Sequence, residues 1–210
     1  MITEENFIHA VKELRKLKEK KTFDQTIDLI INLKNFDVRR EAFNTFISVP
    51  NKVKEKKIGA FLEKESSIID TIKKDDFPRY KDKKDMKKLV KQYDFFIANA
   101  KLMPSIATSF GRVLGPVGKM PSPQLGILPS EDDNAIKALL VKINNTVRVR
   151  VKEPSIKIGI AKESLTDDQI AKNAHAVYTK IIELLPRKID NIRNVKIKFT
   201  MSKPMNVADK

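Results

Sequence analysis

The sequence contains no cysteine and only two histidines, His9 and His175. The first absence excludes disulfides, thiol nucleophiles and thiolate metal sites. The second leaves no H-x-x-x-H or comparable ligand spacing, and neither imidazole sits in a motif from which a Ser/His/Asp set could be assembled. No apolar run reaches the roughly 18 residues of a membrane span, and the first residues do not read as a signal peptide. The expectation is a cytoplasmic protein with no membrane partner. A phosphate cradle is missing too. A P-loop needs a glycine five positions ahead of its Gly-Lys pair and a hydroxyl after it. Here Val113 and Met120 take those positions around Gly118-Lys119, and no G-x-G-x-x-G occurs. The carboxylate pairs Asp75-Asp76 and Asp132-Asp133 precede or begin helices, which explains them better than acid/base work does. No cofactor, no metal and no catalytic residue are expected, and the chain does not read as an enzyme.

What the sequence has in excess is positive charge. Lys+Arg number 42 against 27 Asp+Glu, a net charge of +15 with a pI near 9.8. Such a surface favours a polyanion, through phosphate contacts and counterion release. A lysine-rich surface with no partner is the bland alternative. The 210 residues suit one large domain or two small ones.

Glycine and proline are concentrated between Ser109 and Pro129. Three of the six glycines (Gly111, Gly115, Gly118) fall within eight consecutive residues of it, and four of the ten prolines, Pro116, Pro121, Pro123 and Pro129, lie in the same stretch. Glycine permits φ > 0 and proline fixes φ, so this reads as one shaped loop. An apolar helix, Met103 to Leu114, runs into it, and a second helix begins near Asp132.

Either side of this loop the pattern changes style. Thr3 to Lys21 reads as an amphipathic helix with Phe7, Val11, Leu14 and Leu17 on one stripe. Thr26 to Leu33 and Phe43 to Val49 alternate as half-buried strands, separated by a turn at Asn35 to Arg40. After a basic segment at Asn51 to Lys57 comes a strand, Lys57 to Leu62, then helices at Ser66 to Ile72 and Lys81 to Gln92. Tyr93 to Ala100 is an apolar run suited to a strand buried on both faces. Beyond Asn145 the one-sided strands return: Val147, Val149 and Val151, then Ile156, Ile158 and Ile160. Thr166 and Gln169 have capping-box spacing for a helix reaching about Leu185, and Val195 to Met201 is the last strand. Strands alternating with helices in the middle indicate a parallel, doubly wound sheet. The likeness of the two ends is consistent with an α/β domain inserted into an α+β domain, although periodicity does not prove that the ends meet.

GRVLGPVGKMPSP (Gly111–Pro123) resembles the signature loop of the L-one family of large-subunit ribosomal proteins, which form the mobile side stalk of the ribosome. TFDQTIDLIINL near the N-terminus and FTMSKPM near the C-terminus are similar to two further family segments, in the family's order and spacing. The short GKMP form resembles archaeal members. Val117 stands where the family usually has Arg, and Ser202 where it usually has Gly. The resemblance implies a split β-α-β-like α+β domain from residues 1–52 and 147–210, with a three-layer, Rossmann-like α/β domain inserted at 53–146 and a hinge at the crossings.

By pattern, an RNA surface could combine Lys21, Phe23, Gln25 and Thr26 with Lys198, Thr200, Met201, Ser202 and Lys203. Hydroxyls can pair with the 2′-OH, and Met packs adaptably in a shallow groove. Phe23 reads by pattern as a core residue stapling a helix end; the resemblance places it in the family's rRNA-contacting patch. Arg148, Arg150 and Lys157 could extend the patch by phosphate contact, or face solvent only. In the signature loop, Gly111, Arg112, Gly115, Pro116, Gly118, Lys119, Met120 and Pro121 match the family. The resemblance implies a structural ribosomal protein that binds large-subunit rRNA and contacts exit-site tRNA transiently. It further implies binding to the protein's own mRNA, which represses translation, and a monomer off the ribosome. A nucleotide-dependent enzyme on the middle domain and a non-ribosomal RNA chaperone are the competing readings.

Overall fold

The computed structural model describes residues 2–17, 22–80 and 82–207. In chain order its elements are α1 (Glu4–Lys16), β1 (Thr26–Leu33), α2 (Val38–Glu41), β2 (Asn44–Ser48), β3 (Ile58–Phe61) and β4 (Asp70–Ile72). There follow α3 (Lys83–Gln92), β5 (Phe95–Asn99), α4 (Met103–Val117), β6 (Ile127–Leu128), α5 (Asp133–Asn144) and β7 (Thr146–Arg150). The last are β8 (Ser155–Lys162), α6 (Asp167–Leu184), β9 (Ile192–Phe199) and β10 (Met205–Asn206). They group into two compact units, Met1–Lys54 with Asn145–Lys210, and Glu55–Asn144.

In the unit made by both chain ends, an antiparallel sheet runs β10-β9-β1-β8. Alternation decides what it buries. Ile27, Leu29, Ile31 and Leu33 of β1 point into the core, together with Ile156, Ile158 and Ile160 of β8 and Val195, Ile197 and Phe199 of β9. Each such side chain contributes about 1.5–3 kcal/mol of transfer free energy. The same core takes Phe7, Ala10, Val11 and Leu14 of α1 and Ile170, Ala174, Val177 and Ile181 of α6. Phe7 meets the Tyr178 ring edge-on at 6.0 Å and the His175 ring at 6.5 Å, so His175 is a packing residue. Thr166 caps α6 as its spacing predicts: its Oγ accepts from the Gln169 amide at 3.3 Å, and its own amide donates to Gln169 Oε1 at 3.2 Å. Arg15 ties the two helices together, donating to Asp167 at 2.6 Å and to the Leu165 carbonyl at 2.8 Å. Leu17, expected on the buried stripe, is 73% exposed because α1 ends at Lys16. Val38–Glu41, expected as turn, closes one short helical turn capped by Asp37. Strands β2 and β7 form a separate two-stranded ribbon. The buried Asn173 amide accepts from Asn51 N and donates to the Asn51 and Ile160 carbonyls, which anchors the chain where it leaves this unit.

The second unit is built on a parallel sheet in the order β4-β3-β5-β6. All four residues of β3 are buried, as are Phe96 to Asn99 of β5, so both sheet faces are covered. On one face Phe61, Phe77, Phe96 and Phe110 form an aromatic cluster with ring centroids 5.0–5.9 Å apart. Gly59 makes room for it, since a Cβ there would stand 3.1 Å from the Phe96 ring and 3.2 Å from Tyr93.

Two expectations fail in this unit. Ser66 to Ile72 is not a helix: it enters strand β4, and a 3₁₀ helix follows at Lys74–Tyr80. Ser66 and Thr71 hydroxyls accept from the Ile68 and Ser66 amides, a local alternative to helical bonding. Nor is Ser109–Pro129 one loop. Helix α4 continues through Gly111, Gly115 and Pro116 to Val117, because Ile106, Phe110 and Leu114 extend its buried stripe. The turn comes only at Gly118, with φ 75°. There the Gly118 and Lys119 amides donate to the Gly115 and Leu114 carbonyls in a Schellman closure.

Candidate nucleic-acid interface

Strands β1 and β9 are antiparallel, so the start of one lies beside the end of the other: Ile27 faces Phe199 and Asp28 faces Lys198. The Thr200 amide and its hydroxyl both donate to the Thr26 carbonyl, at 3.0 and 3.1 Å. The hydroxyl oxygen also accepts from the Thr26 amide at 3.2 Å. Thr200 is therefore exposed yet already committed, and it splices the two strand ends. Ser202 closes the next turn. Its Oγ accepts from the Phe199 amide at 2.9 Å, so the side chain present where the family usually has glycine is folded back against its own backbone.

On the other side of β1, residues 24–26 are fixed to the end of β8. The Glu163 amide donates to the Gln25 carbonyl, Lys162 Nζ to the Asp24 carbonyl, and Ser164 donates twice to the Asp24 carboxylate. Phe23 and Met201 project from this braced end at 50% and 64% exposure. A core position for Phe23, which pattern alone favours, is thereby overturned. Gln25 is only 2% exposed, and its Oε1 accepts from the Met201 amide at 3.1 Å. It cannot touch a ligand directly; it sets the position of Met201. Burial pushes the Asp28 carboxyl up from its ordinary value, and Lys198 opposes that shift. Lys203 is exposed, and Lys21 lies outside the described residues.

The outlying cations are not brought to this end. Arg148 and Arg150 stand on the β2–β7 ribbon, where Arg148 Nε donates to Asn44 and its guanidinium lies 5.7 Å from the Phe46 ring centroid. Burial, and then the neighbouring Arg150, lower the Arg148 pKa. Lys157 pairs with Ile30 in mid-sheet and binds Glu153 at 3.0 Å. Its separation from Lys162 along β8 is about 17 Å at strand rise. Lys162, Asp24 and Ser164, the residues that brace Phe23, carry no motif. Their partners are some 138 to 140 residues away in the chain.

Of the signature residues, Gly118, Lys119, Met120 and Pro121 serve the second unit's own structure. Lys119 Nζ donates to the Val90 and Tyr93 carbonyls, both at 2.7 Å, and so caps the C-terminal end of α3. Pro121 is buried, and Met120 packs on the aromatic core. An open parallel sheet binds phosphate ligands beyond the carboxyl ends of its strands, at the switch point. Here that place holds the protein's own anion. The Glu131 carboxylate accepts from the Glu63 and Lys64 amides at 2.8 and 3.0 Å and from Asn99 at 2.6 Å. Burial would raise its pKa, but these donors outweigh burial and hold it low. The adjoining crevice of about 620 Å³ is lined by four carboxylates, Glu65, Glu131, Asp132 and Asp133, against one cation, Lys64, a balance that disfavours nucleotide phosphates.

Comparison with known proteins agrees with this arrangement. Residues 14–203 match the family described as "Ribosomal protein L1p/L10e family". The chain is 36% identical to the Large ribosomal subunit protein uL1 of Nanoarchaeum equitans, over 94% of this chain and 99% of that one. It is 34% identical to the protein of the same name in Thermococcus kodakarensis, over 97% of each. It is also 34% identical to that of Thermofilum pendens, over 95% of this chain and 91% of the other. The relatives are archaeal, the match spans both units, and the switch point of the parallel sheet is closed by its own carboxylate: the chain belongs to the ribosomal protein L1p/L10e family, whose members are ribosomal proteins and not enzymes.

Proposed function

We propose that this protein is a structural component of the large ribosomal subunit, acting in the cytoplasm, whose unit of both chain ends holds a structured segment of rRNA in the mobile stalk. The observation that carries this reading is the pair of exposed apolar side chains, Phe23 and Met201, on a braced strand end with Lys198 and Lys203 beside it. An apolar side chain held rigidly in the open loses little entropy on docking. Hydroxyl, apolar and cationic groups together suit the shallow groove of a folded RNA. The same surface would accept an mRNA element shaped like the rRNA segment, which is how the protein would repress its own translation. A transient contact with exit-site tRNA follows from a place in that stalk.

Recovery of bound RNA from total cellular RNA, followed by sequencing, tests the proposal. Enrichment of one large-subunit rRNA segment, lost in the double variant Phe23→Ala/Met201→Ala, is expected. Unselective recovery of RNA by both proteins, with no cosedimentation with large subunits, would point instead to an RNA chaperone.

A further inference from the structure

Helices α3 and α4 of the second unit pack together but leave a groove of about 710 Å³ between them. Its floor is apolar: Met86 and Val90 from α3, and Val113, Pro116 and Val117 from α4. Val117 is 52% exposed, and no other element of this unit lies on it among the lining residues. The rim is cationic. Lys87 and Lys91 stand one turn apart on α3, and Arg112 faces them from α4. Among the described residues no carboxylate lines the groove, and Asp85 on α3 is paired with Lys88 at 3.1 Å.

A second feature adjoins the groove. Gly111 and Gly115 lie one turn apart on α4, next to Arg112 and Pro116. Glycine inside a helix is destabilising relative to alanine. Nothing among the described residues calls for it here: neither glycine has positive φ, and a Cβ at either would meet none of their atoms within 4 Å. The two bare positions let something outside the chain approach the α4 backbone closely.

We infer that this groove docks an acidic amphipathic helix of a protein partner. Charge complementarity fixes the partner's flanks, and the apolar floor fixes its buried face. From Thr108 to Val117 the groove runs about 14 Å along α4, which accommodates between two and three helical turns. A single-stranded nucleic acid fits less well, because among the described residues no aromatic side chain lines the floor to stack a base. Met86 gives the floor some adaptability. Lys119, though it lines the groove, is spent on capping α3 and takes no part.

The test uses the full chain and a fluorescent synthetic helix with Leu at i, i+4 and i+7 and Glu along both flanks, read by anisotropy. A scrambled peptide of the same composition is the control. Saturable binding is expected, at least tenfold tighter than for the scrambled peptide. Arg112→Glu and Val117→Asp, both at exposed positions, should each weaken it at least tenfold, while Lys137→Glu on α5 leaves it within twofold. Gly115→Gln should raise the melting temperature and yet weaken docking, a combination that a purely structural glycine would not give. Equal binding of ordered and scrambled peptides, or insensitivity to both groove variants, overturns the proposal. So does displacement of the peptide by a uridine 12-mer whose own binding needs Arg112 and Val117, since the occupant is then a nucleic acid.

Discussion

Thr200 and Met201 are neighbours with opposite duties. The Thr200 hydroxyl bonds both the amide and the carbonyl of Thr26, so Thr200→Val leaves that amide without its partner and loosens the splice. A stability loss of about 1 kcal/mol is expected, and weaker RNA binding follows from the displaced turn. Met201 is 64% exposed, so Met201→Ala should leave the thermal melt unchanged while lowering rRNA affinity about tenfold, or about 1.4 kcal/mol. Filter binding and melts on both variants check the pair; a Met201→Ala protein that binds normally removes Met201 from the interface. Residue types were legible here and duties were not. The hydroxyl of Thr200 reads in sequence as a free donor for a 2′-OH, and its engagement depends on a residue 174 positions earlier. Tyr93 offers a separate check on the other unit. Burial, together with its hydrogen bond to Asp70, pushes its phenol up from 10.0 to about 12. The phenol is neutral in the fold, so its contribution is complete below pH 10 and is lost as pH rises through about 12. Tyr93→Phe should flatten the alkaline part of the stability profile relative to the parent chain.

At the scale of the element, α4 shows how local punctuation can mislead. Its glycines and Pro116 argue for a loop, and each carries a local penalty. Burial at Ile106, Phe110 and Leu114 wins, and Pro116 sits where it forfeits only a bond of the last turn. Periodicity was the better guide than composition; of the glycines, only Gly118 and Gly126 have positive φ. Gly115→Ala therefore should not strain this segment, and an increase in stability of about 0.5–1 kcal/mol is expected. Gly126→Ala should do the reverse. At φ 117° a Cβ there would stand 3.1 Å from the Phe96 carbonyl and 3.2 Å from the Phe95 ring. A loss larger than the Gly115→Ala gain should appear in the same melts. The β1, β7, β8 and α6 segments were legible because each buries one clean stripe. Ser66–Ile72 was not, since a three-residue strand is too short to show a period.

Over the whole molecule, sequence patterns distinguished two styles of structure, but not that strand β1 would lie between β8 and β9, near the other end of the chain. The interface inherits that difficulty, since Thr26 and Thr200 become neighbours only when both ends are present. One consequence is that the first 52 residues alone lack both partners of β1. Where the chain leaves this unit and returns to it, the Val49 amide donates to the Asn145 carbonyl at 2.8 Å, so the two crossings are adjacent. A short Gly/Ser linker joining residues 1–52 to 147–210 should then give a folded protein that keeps most of the rRNA affinity, while residues 53–146 bind RNA weakly. Equal affinity of the middle fragment and the whole chain would move the site. Charge allows a sharper comparison. If roughly four to eight phosphates are contacted, log K falls linearly with log salt at about 0.7–0.9 per contact. The joined protein should retain nearly the slope of the whole chain, because Lys198, Lys203 and Lys162 all belong to it. Lys203→Ala should reduce that slope by about one contact, with little change in the melt. Because Arg148 and Arg150 stand away from the braced end, Arg150→Ala should leave the slope as it was. The opposite result, a slope that depends on Arg150 and not on Lys203, would place the RNA across the β2–β7 ribbon.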